Sequence, residues 1–461
     1  MDSVTTSAAR KQSLVSDIAW ITLLVVISGL VILHSARPSV ALHQVALPAP
    51  EDTTLEALRP PPTSLQLLAA QIAALDAVGD AIQGAIDACP EVPWGKFGLA
   101  DVEIERSKIR LDNGRGRYVV DLEDGRTAIL SLDPRTQQRL ETAMRRATEP
   151  GEATVVLDPK TGRVLALADD GDAENGIGLS RRSYAWSASI FKVITAASLF
   201  ENSQVRPNTQ TCFHGGSDGL TEELLRENAE LDTLCVSFQR AMALSANVVF
   251  GRHADRYLNP ESLTKTAERF AFNAQIPFEM PVESSLIQLP TERLEFAQAA
   301  AGFRHSRMSP LHGALIQGAI ANDGIMMVPT MVERIVDAHG ETVWEHTPVV
   351  WREVVSPAQA TLLREVQATT CINGTARADF ASRPGWPSTI QVWGKTGTLL
   401  NRRLDGSLPT NPLTYRWFTG IARRGEREVA VSSLVVQNPS WQIRGAYLAS
   451  EGVLGALPPT P

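Results

Sequence analysis

Cysteine is scarce in this chain, with four among 461 residues, at 89, 212, 235 and 371. No two of them show C-x-x-C spacing and no H-E-x-x-H occurs, so a zinc site has little support. A block of basic charge is missing as well. With a net charge of −8, a pI near 5.6 and no run of Lys and Arg, the chain lacks the electrostatic footprint of a nucleic-acid binder. It also lacks the polarity of a disordered protein: 44% of its residues are apolar and 20% charged, which supplies a large core for roughly two to four domains. No internal repeat is visible.

One uncharged run stands near the N-terminus. IAWITLLVVISGLVIL, Ile18 to Leu33, follows Arg10 and Lys11 and precedes His34 and Arg37, the layout of a segment inserted with its N-terminus in the cytoplasm. We read 1–17 as a cytoplasmic tail and 18–36 as a transmembrane anchor of the inner (cytoplasmic) membrane, crossing once, with the remainder on the periplasmic, extracytoplasmic side. The small residues Ser39 to Ala41 leave a cleaved signal peptide open, but the run exceeds a usual signal core. Outside the cytoplasm disulfides are permitted. Cys212 and Cys235 bracket a polar, glycine-containing excursion and are the favoured pair; four cysteines allow three connectivities, and all four could also be unpaired small hydrophobes.

Residues 37–64 are rich in proline and small residues, as an extended spacer would be. An alanine- and leucine-rich helix from Leu65 to Ala88 ends at Cys89-Pro90, and RYVVDL and TAILSL read as strands, so 65–131 is taken as a small accessory region. From 132 to 456 the pattern is α+β. Ala153 to Ala168 predicts a hairpin, a helical tract runs from about Ser189 to Gly324, and within it Ser309-Pro310 starts a helix. IQVWGKTGTLL, RWFTGIA and EVAVSSLVV predict three strands, and Gln442 to Leu454 a closing helix. This succession suggests one antiparallel sheet covered by helices.

Within that frame, WSASIFKVITAASLF sets Ser189 and Lys192 three residues apart on one face of an apolar helix. A serine hydroxyl becomes a nucleophile when a base takes its proton, and a lysine can be that base when burial lowers its pKa. The bland alternative is a snorkelling lysine beside a capping serine. Ser245-Ala246-Asn247 gives S-x-N, and Lys395-Thr396-Gly397 gives K-T-G, extended by Thr398. Each is weak alone; in this order, the first opening an apolar helix and the last on a strand, they form a specific set.

With these motifs, and with SLDPRTQQRLETAM, VVLDPKTGRVLAL and SPLHGALIQGAIANDGIMMVPTMV in their places, the chain from about Leu132 to Leu454 resembles the transpeptidase domain of penicillin-binding proteins, with a class A flavour. The resemblance implies a five-stranded antiparallel sheet sandwiched by helices, with the active site at the sheet's edge. It implies Ser189 as nucleophile and Lys192 as base, with Lys395 close enough for its charge to lower the Lys192 pKa further. Ser245 would relay a proton to the leaving amine, and Asn247 would hold Lys192 and the substrate backbone. Lys395, Thr396 and Thr398 would receive the carboxylate of a D-Ala-D-Ala peptide or a β-lactam, with Gly397 leaving room for an added strand. The backbone N–H groups of Ser189 and Thr398 would form the oxyanion hole.

The expectation is therefore a membrane-anchored peptidoglycan D,D-transpeptidase that cross-links stem peptides through a Ser189 acyl-enzyme, needs no cofactor and is inhibited by β-lactams. A D,D-carboxypeptidase, in which water resolves the same intermediate, is the nearest rival. A β-lactam-binding receptor or scaffold without turnover is the rival from another class. Residues 37–131 offer too little chain for a further enzymatic domain. EDTTLEAL begins like a glycosyltransferase signature without continuing as one, so a separate glycosyltransferase is the expected partner.

Overall fold

Two apolar runs on either side of Asp158 to Gly162 form the expected hairpin, β1 (Gly151–Leu157) and β2 (Val164–Asp170). The three C-terminal runs are β3 (Gln391–Leu400), β4 (Thr414–Arg424) and β5 (Arg427–Gln437). These strands make one antiparallel sheet in the order β3-β4-β5-β1-β2, with β3 at an edge. The computed structural model describes residues 97–145, 151–170, 177–216, 219–401, 410, 412–437 and 443–459. The predicted tail, anchor, spacer and first accessory helix lie outside the described residues; among those described, no helix is long and apolar enough to cross a membrane.

The helices that bear on the site are α1 (Pro134–Met144), α2 (Lys192–Asn202), α3 (Phe238–Leu244), α4 (Asn247–Tyr257), α5 (Pro310–Ala321), α6 (Thr370–Asn373) and α7 (Gly445–Ala456). Strand residues alternate between faces, so the sheet can bury both. On one face Val156, Phe418 and Val431 pack with Leu140 of α1 and Leu448 and Val453 of α7. On the other, Val155, Trp417 and Leu434 share a core with Leu315 and Ala319 of α5 and with Phe191 and Ile194. The result is the sandwich expected from the sequence. Every residue of α5 is buried, as suits a helix that is apolar all round. Ser309 caps it by accepting from the His312 N–H at 3.2 Å.

The span from Ser189 to Gly324 is less helical than expected. Gln210–Phe213 pairs with Leu234–Ser237, and Ala185–Trp186, Ser306–Met308 and Leu286–Ile287 form a small sheet. These short strands are held by cross-strand pairing that periodicity does not report. The accessory strands Arg117–Asp121 and Thr127–Leu130 appear as read, and with Arg110–Asp112, Val332–Val336 and Thr342–Glu345 they form a second five-stranded sheet.

Cys212 and Cys235 face one another in the ribbon and are bridged, while Cys371 is free and buried. Arg252 of α4 enters the loop that the bridge closes. It donates to the carbonyls of Leu224 at 2.7 Å, Arg226 at 2.8 Å and Cys212 at 3.1 Å, and to the Asp232 carboxylate at 2.8 and 3.1 Å. A buried guanidinium with its donors so occupied holds the insert in place. Replacing both bridged cysteines by serine should lower unfolding stability by about 3 kcal/mol in the chain-entropy account while leaving the fold intact. Denaturant unfolding of the two forms checks this; equal midpoints would contradict it.

Candidate active site

Ser189 lies in a tight 3-10 turn, Ala188–Phe191, that runs straight into α2. Its residues are apolar on the inner side, so Ile190 and Phe191 pack into the core while Ser189 stays half-buried and reachable. Ala188 has φ +51°, a conformation that residues with a side chain adopt sparingly. It is gripped from several directions. Gly302, at φ +88°, passes so close that a Cβ there would sit 2.3 Å from the Ala188 carbonyl oxygen. The Ser187 N–H donates to the Ser306 carbonyl at 2.9 Å, and Trp417 Nε1 donates to the Trp186 carbonyl at 2.9 Å. A strained turn persists where its surroundings over-determine it.

Lys192, the first residue of α2, is fully buried. Its Nζ lies 2.9 Å from Ser189 Oγ and 2.7 Å from Asn247 Oδ1, and it also donates to the Ala301 carbonyl. Nζ stands 5.6 Å from the centre of the Phe250 ring. Burial holds the Lys192 amine well below the usual lysine range, and the charge of Lys395 lowers it further; no carboxylate among the described residues counters this. A neutral amine has two N–H donors and one lone pair. Asn247 Oδ1 and the Ala301 carbonyl can only accept, so they take the two N–H groups. The lone pair is left for the Ser189 hydroxyl, the one partner with a proton to give.

Asn247 opens α4, two residues after Ser245. Ser245 closes α3 in the left-handed conformation, at φ +60°, and is half-buried; the three partners of Lys192 do not include it. Lys395, Thr396, Gly397 and Thr398 follow one another on edge strand β3, opposite Thr419, Phe418, Trp417 and Arg416 of β4. A Cβ at Gly397 would lie 3.2 Å from Ala188 Cβ and 3.3 Å from Ile190 Cγ2, so this glycine lets the strand close on the turn that holds Ser189. Lys395 is fully buried, donates to the Thr396 carbonyl at 2.8 Å, and is pushed down to about 7 by burial. Thr396 is half-buried and Thr398 exposed. In the free protein the Lys395 amine is thus turned to a carbonyl of its own strand, while Thr396 and Thr398 are the more accessible residues.

Three further groups at the site carry no signal in the motifs: the Ala301 carbonyl, Gly302 beneath Ala188, and Thr375, whose Oγ1 lies 2.5 Å from Thr396 Oγ1. The helix-ending glycine of Ala300-Ala301-Gly302 was a legible stop signal, but not a pointer to what it would touch. Among the described residues no group of His, Cys, Asp and Glu could hold a metal ion.

Comparison with known proteins finds the same fold elsewhere. The family described as the penicillin binding protein transpeptidase domain matches residues 152–452. The peptidoglycan D,D-transpeptidase PbpA of Mycolicibacterium smegmatis is 25% identical over 393 residues, covering 75% of this chain and 76% of that protein. A crystal structure of the D,D-transpeptidase domain of a peptidoglycan glycosyltransferase from Eggerthella lenta superposes with a TM-score of 0.58 at 25% identity, covering 71% of this chain and 82% of that one. Penicillin-binding protein A of Mycobacterium tuberculosis, solved as its imipenem acyl-enzyme complex, has a TM-score of 0.57 at 21% identity, over 71% and 78% of the two chains.

The two lysines should differ in kind. Acylation of free protein by a penicillin should rise with pH as Lys192 loses its proton, on a limb far below the usual lysine range. It should fall again as Lys395 discharges near 7. An arriving carboxylate favours the charged Lys395, so the alkaline limb should move to higher pH at saturation. Lys192→Arg should abolish acylation, since a guanidinium stays protonated; Lys395→Arg should keep part of it and lose the alkaline limb. Stopped-flow acylation across pH checks both, and an active Lys192→Arg protein would refute the assignment.

Proposed function

We infer that this chain, which belongs to the penicillin-binding protein transpeptidase family, is a serine D,D-transpeptidase that cross-links peptidoglycan stem peptides. The observation that carries the reading is the buried Lys192 Nζ, set 2.9 Å from Ser189 Oγ and held by two pure acceptors, Asn247 Oδ1 and the Ala301 carbonyl, where its lowered pKa favours a neutral amine able to take the hydroxyl proton. Ser189 gives its proton to Lys192 and its Oγ bonds to the carbonyl carbon of the penultimate D-Ala. The carbonyl oxygen takes up negative charge facing the backbone N–H groups of Ser189 and Thr398. The C–N bond to the terminal D-Ala then breaks, its nitrogen taking the proton from Lys192 by way of Ser245. The amine of a neighbouring stem peptide attacks the ester, Lys192 accepting its proton, and Ser189 regains a proton as the new amide forms.

Asn247 keeps Lys192 aimed at Ser189. Thr396, Thr398 and the field of Lys395 receive the terminal carboxylate of the donor, and a β-lactam carboxylate would sit in the same place while its ring acylates Ser189. We place the catalytic domain outside the cytoplasm, held by the anchor read at 18–36. There it acts on glycan strands made by a separate glycosyltransferase.

The test uses the full-length chain in detergent with a fluorescent penicillin, and with a pentapeptide donor in the presence and absence of an amine acceptor. Mass spectrometry should place the penicillin adduct on the Ser189 peptide, and Ser189→Ala should lose it. Donor and acceptor together should yield a cross-linked product. Release of D-Ala to water alone would move the assignment to a carboxypeptidase. Labelling without any turnover would make the protein a receptor or scaffold.

A further inference from the structure

We propose that Thr375 is a positioning residue of the carboxylate site, fixing the direction in which Thr396 offers its hydroxyl proton to the substrate. This rests on the reading above that β3 receives the donor carboxylate. Thr375 Oγ1 and Thr396 Oγ1 lie 2.5 Å apart, although 21 residues separate them in sequence. Thr375 is exposed and Thr396 half-buried, whereas Lys395 is wholly buried. An anion arriving at this part of the strand meets hydroxyls before it meets an ammonium group.

The segment that carries Thr375 is fixed to the Ser245 side of the site. The Thr375 N–H donates to the Ala243 carbonyl at 3.1 Å, and the Ala376 N–H to the Thr370 carbonyl at 3.2 Å. Arg240 of α3 donates from Nη1 to the Asn373 carbonyl at 2.8 Å and to its side-chain oxygen at 2.9 Å. A Cβ at Gly374 would lie 2.6 Å from the Ala243 carbonyl oxygen and 2.8 Å from Thr370 Cα, so this approach needs glycine. Thr375 is thereby set between the last turn of α3, which leads into Ser245, and the K-T-G strand.

A hydroxyl has one proton and two lone pairs, and a carboxylate only accepts. When a carboxylate rests on Thr396, the Thr396 proton must point to it. The bond between the two threonines then survives in one sense alone, with Thr375 donating. The chain Thr375 to Thr396 to carboxylate runs in a single direction, each bond polarising the next. Valine at 375 keeps the shape and removes the donor.

Full-length protein in detergent is acylated with a fluorescent penicillin bearing a free carboxylate, and with the same compound as its methyl ester. Thr375→Val should raise the half-saturation concentration for the free acid roughly three- to tenfold, the effect of one neutral hydrogen bond, and leave the limiting acylation rate at the wild-type value. For the ester the two proteins should match, and Thr375→Ser should restore wild-type behaviour with the acid. Should the valine protein lose its thermal transition, Thr375→Ala carries the same comparison. Unchanged half-saturation with the acid would overturn the proposal. So would equal losses with acid and ester, or a fall in the limiting rate alone, either of which would make Thr375 a strut between α6 and α3. Failure of the wild-type protein to be acylated at all would instead sink the transpeptidase reading on which the proposal rests.

Discussion

An amine buried without a counter-charge is the constraint on which this site depends. Lys192 is fully enclosed, no carboxylate among the described residues acts on it, and the charge of Lys395 opposes its own. Taking an ammonium group out of water without a partner is costly, so the group sheds its proton instead. The surroundings are built for that neutral form. Two pure acceptors absorb its two N–H groups, and the remaining direction points at a hydroxyl half-open to solvent. The apolar neighbours of Ser189 and Lys192 serve the core and, by excluding water, also set the basicity of the amine.

Several separate elements must meet for this to hold. Ala301 follows the helix ending at Ala300, Asn247 begins α4, and Lys395 lies on an edge strand of the central sheet. Each arrives through a specific constraint: Gly302 allows the chain to pass under Ala188, Gly397 allows β3 to close on the turn that holds Ser189, and the Arg252 guanidinium ties α4 to the bridged insert. The rigidity of the scaffold thus keeps the Lys192 amine aligned with the Ser189 hydroxyl, an alignment that a shift of about an ångström would forfeit.

Much of this was legible in the residues. Ser189 and Lys192 could be paired because helical spacing alone brings i and i+3 together, and the strand nature of Gln391–Leu400 followed from its β-rich composition. The hairpin and the sandwiching helices were legible for similar reasons, being set by local period and turn chemistry. What stayed hidden was non-local. A carbonyl such as that of Ala301 carries no side-chain signature, and the need for glycine at 302 arises from the left-handed Ala188 more than a hundred residues earlier in the chain. The ribbon of Gln210–Phe213 and Leu234–Ser237 was absorbed into a helical tract because each strand is short and is stabilised by its partner and by the bridge between them. Thr375 went unremarked because nothing in its own neighbourhood shows that it touches Thr396.

The chemistry at the centre of the site requires Lys192 to be neutral at physiological pH in the folded, unacylated protein. The most direct measurement is an NMR titration of protein labelled with ¹³C at lysine Cε, with the Lys192 resonance assigned by its loss in Lys192→Ala. The Lys192 signal should stay at the neutral-amine position throughout neutral pH, its midpoint well below the ordinary lysine value of 10.5. A Lys192 that stays protonated until pH approaches that ordinary value would contradict it, whatever the activity of the protein.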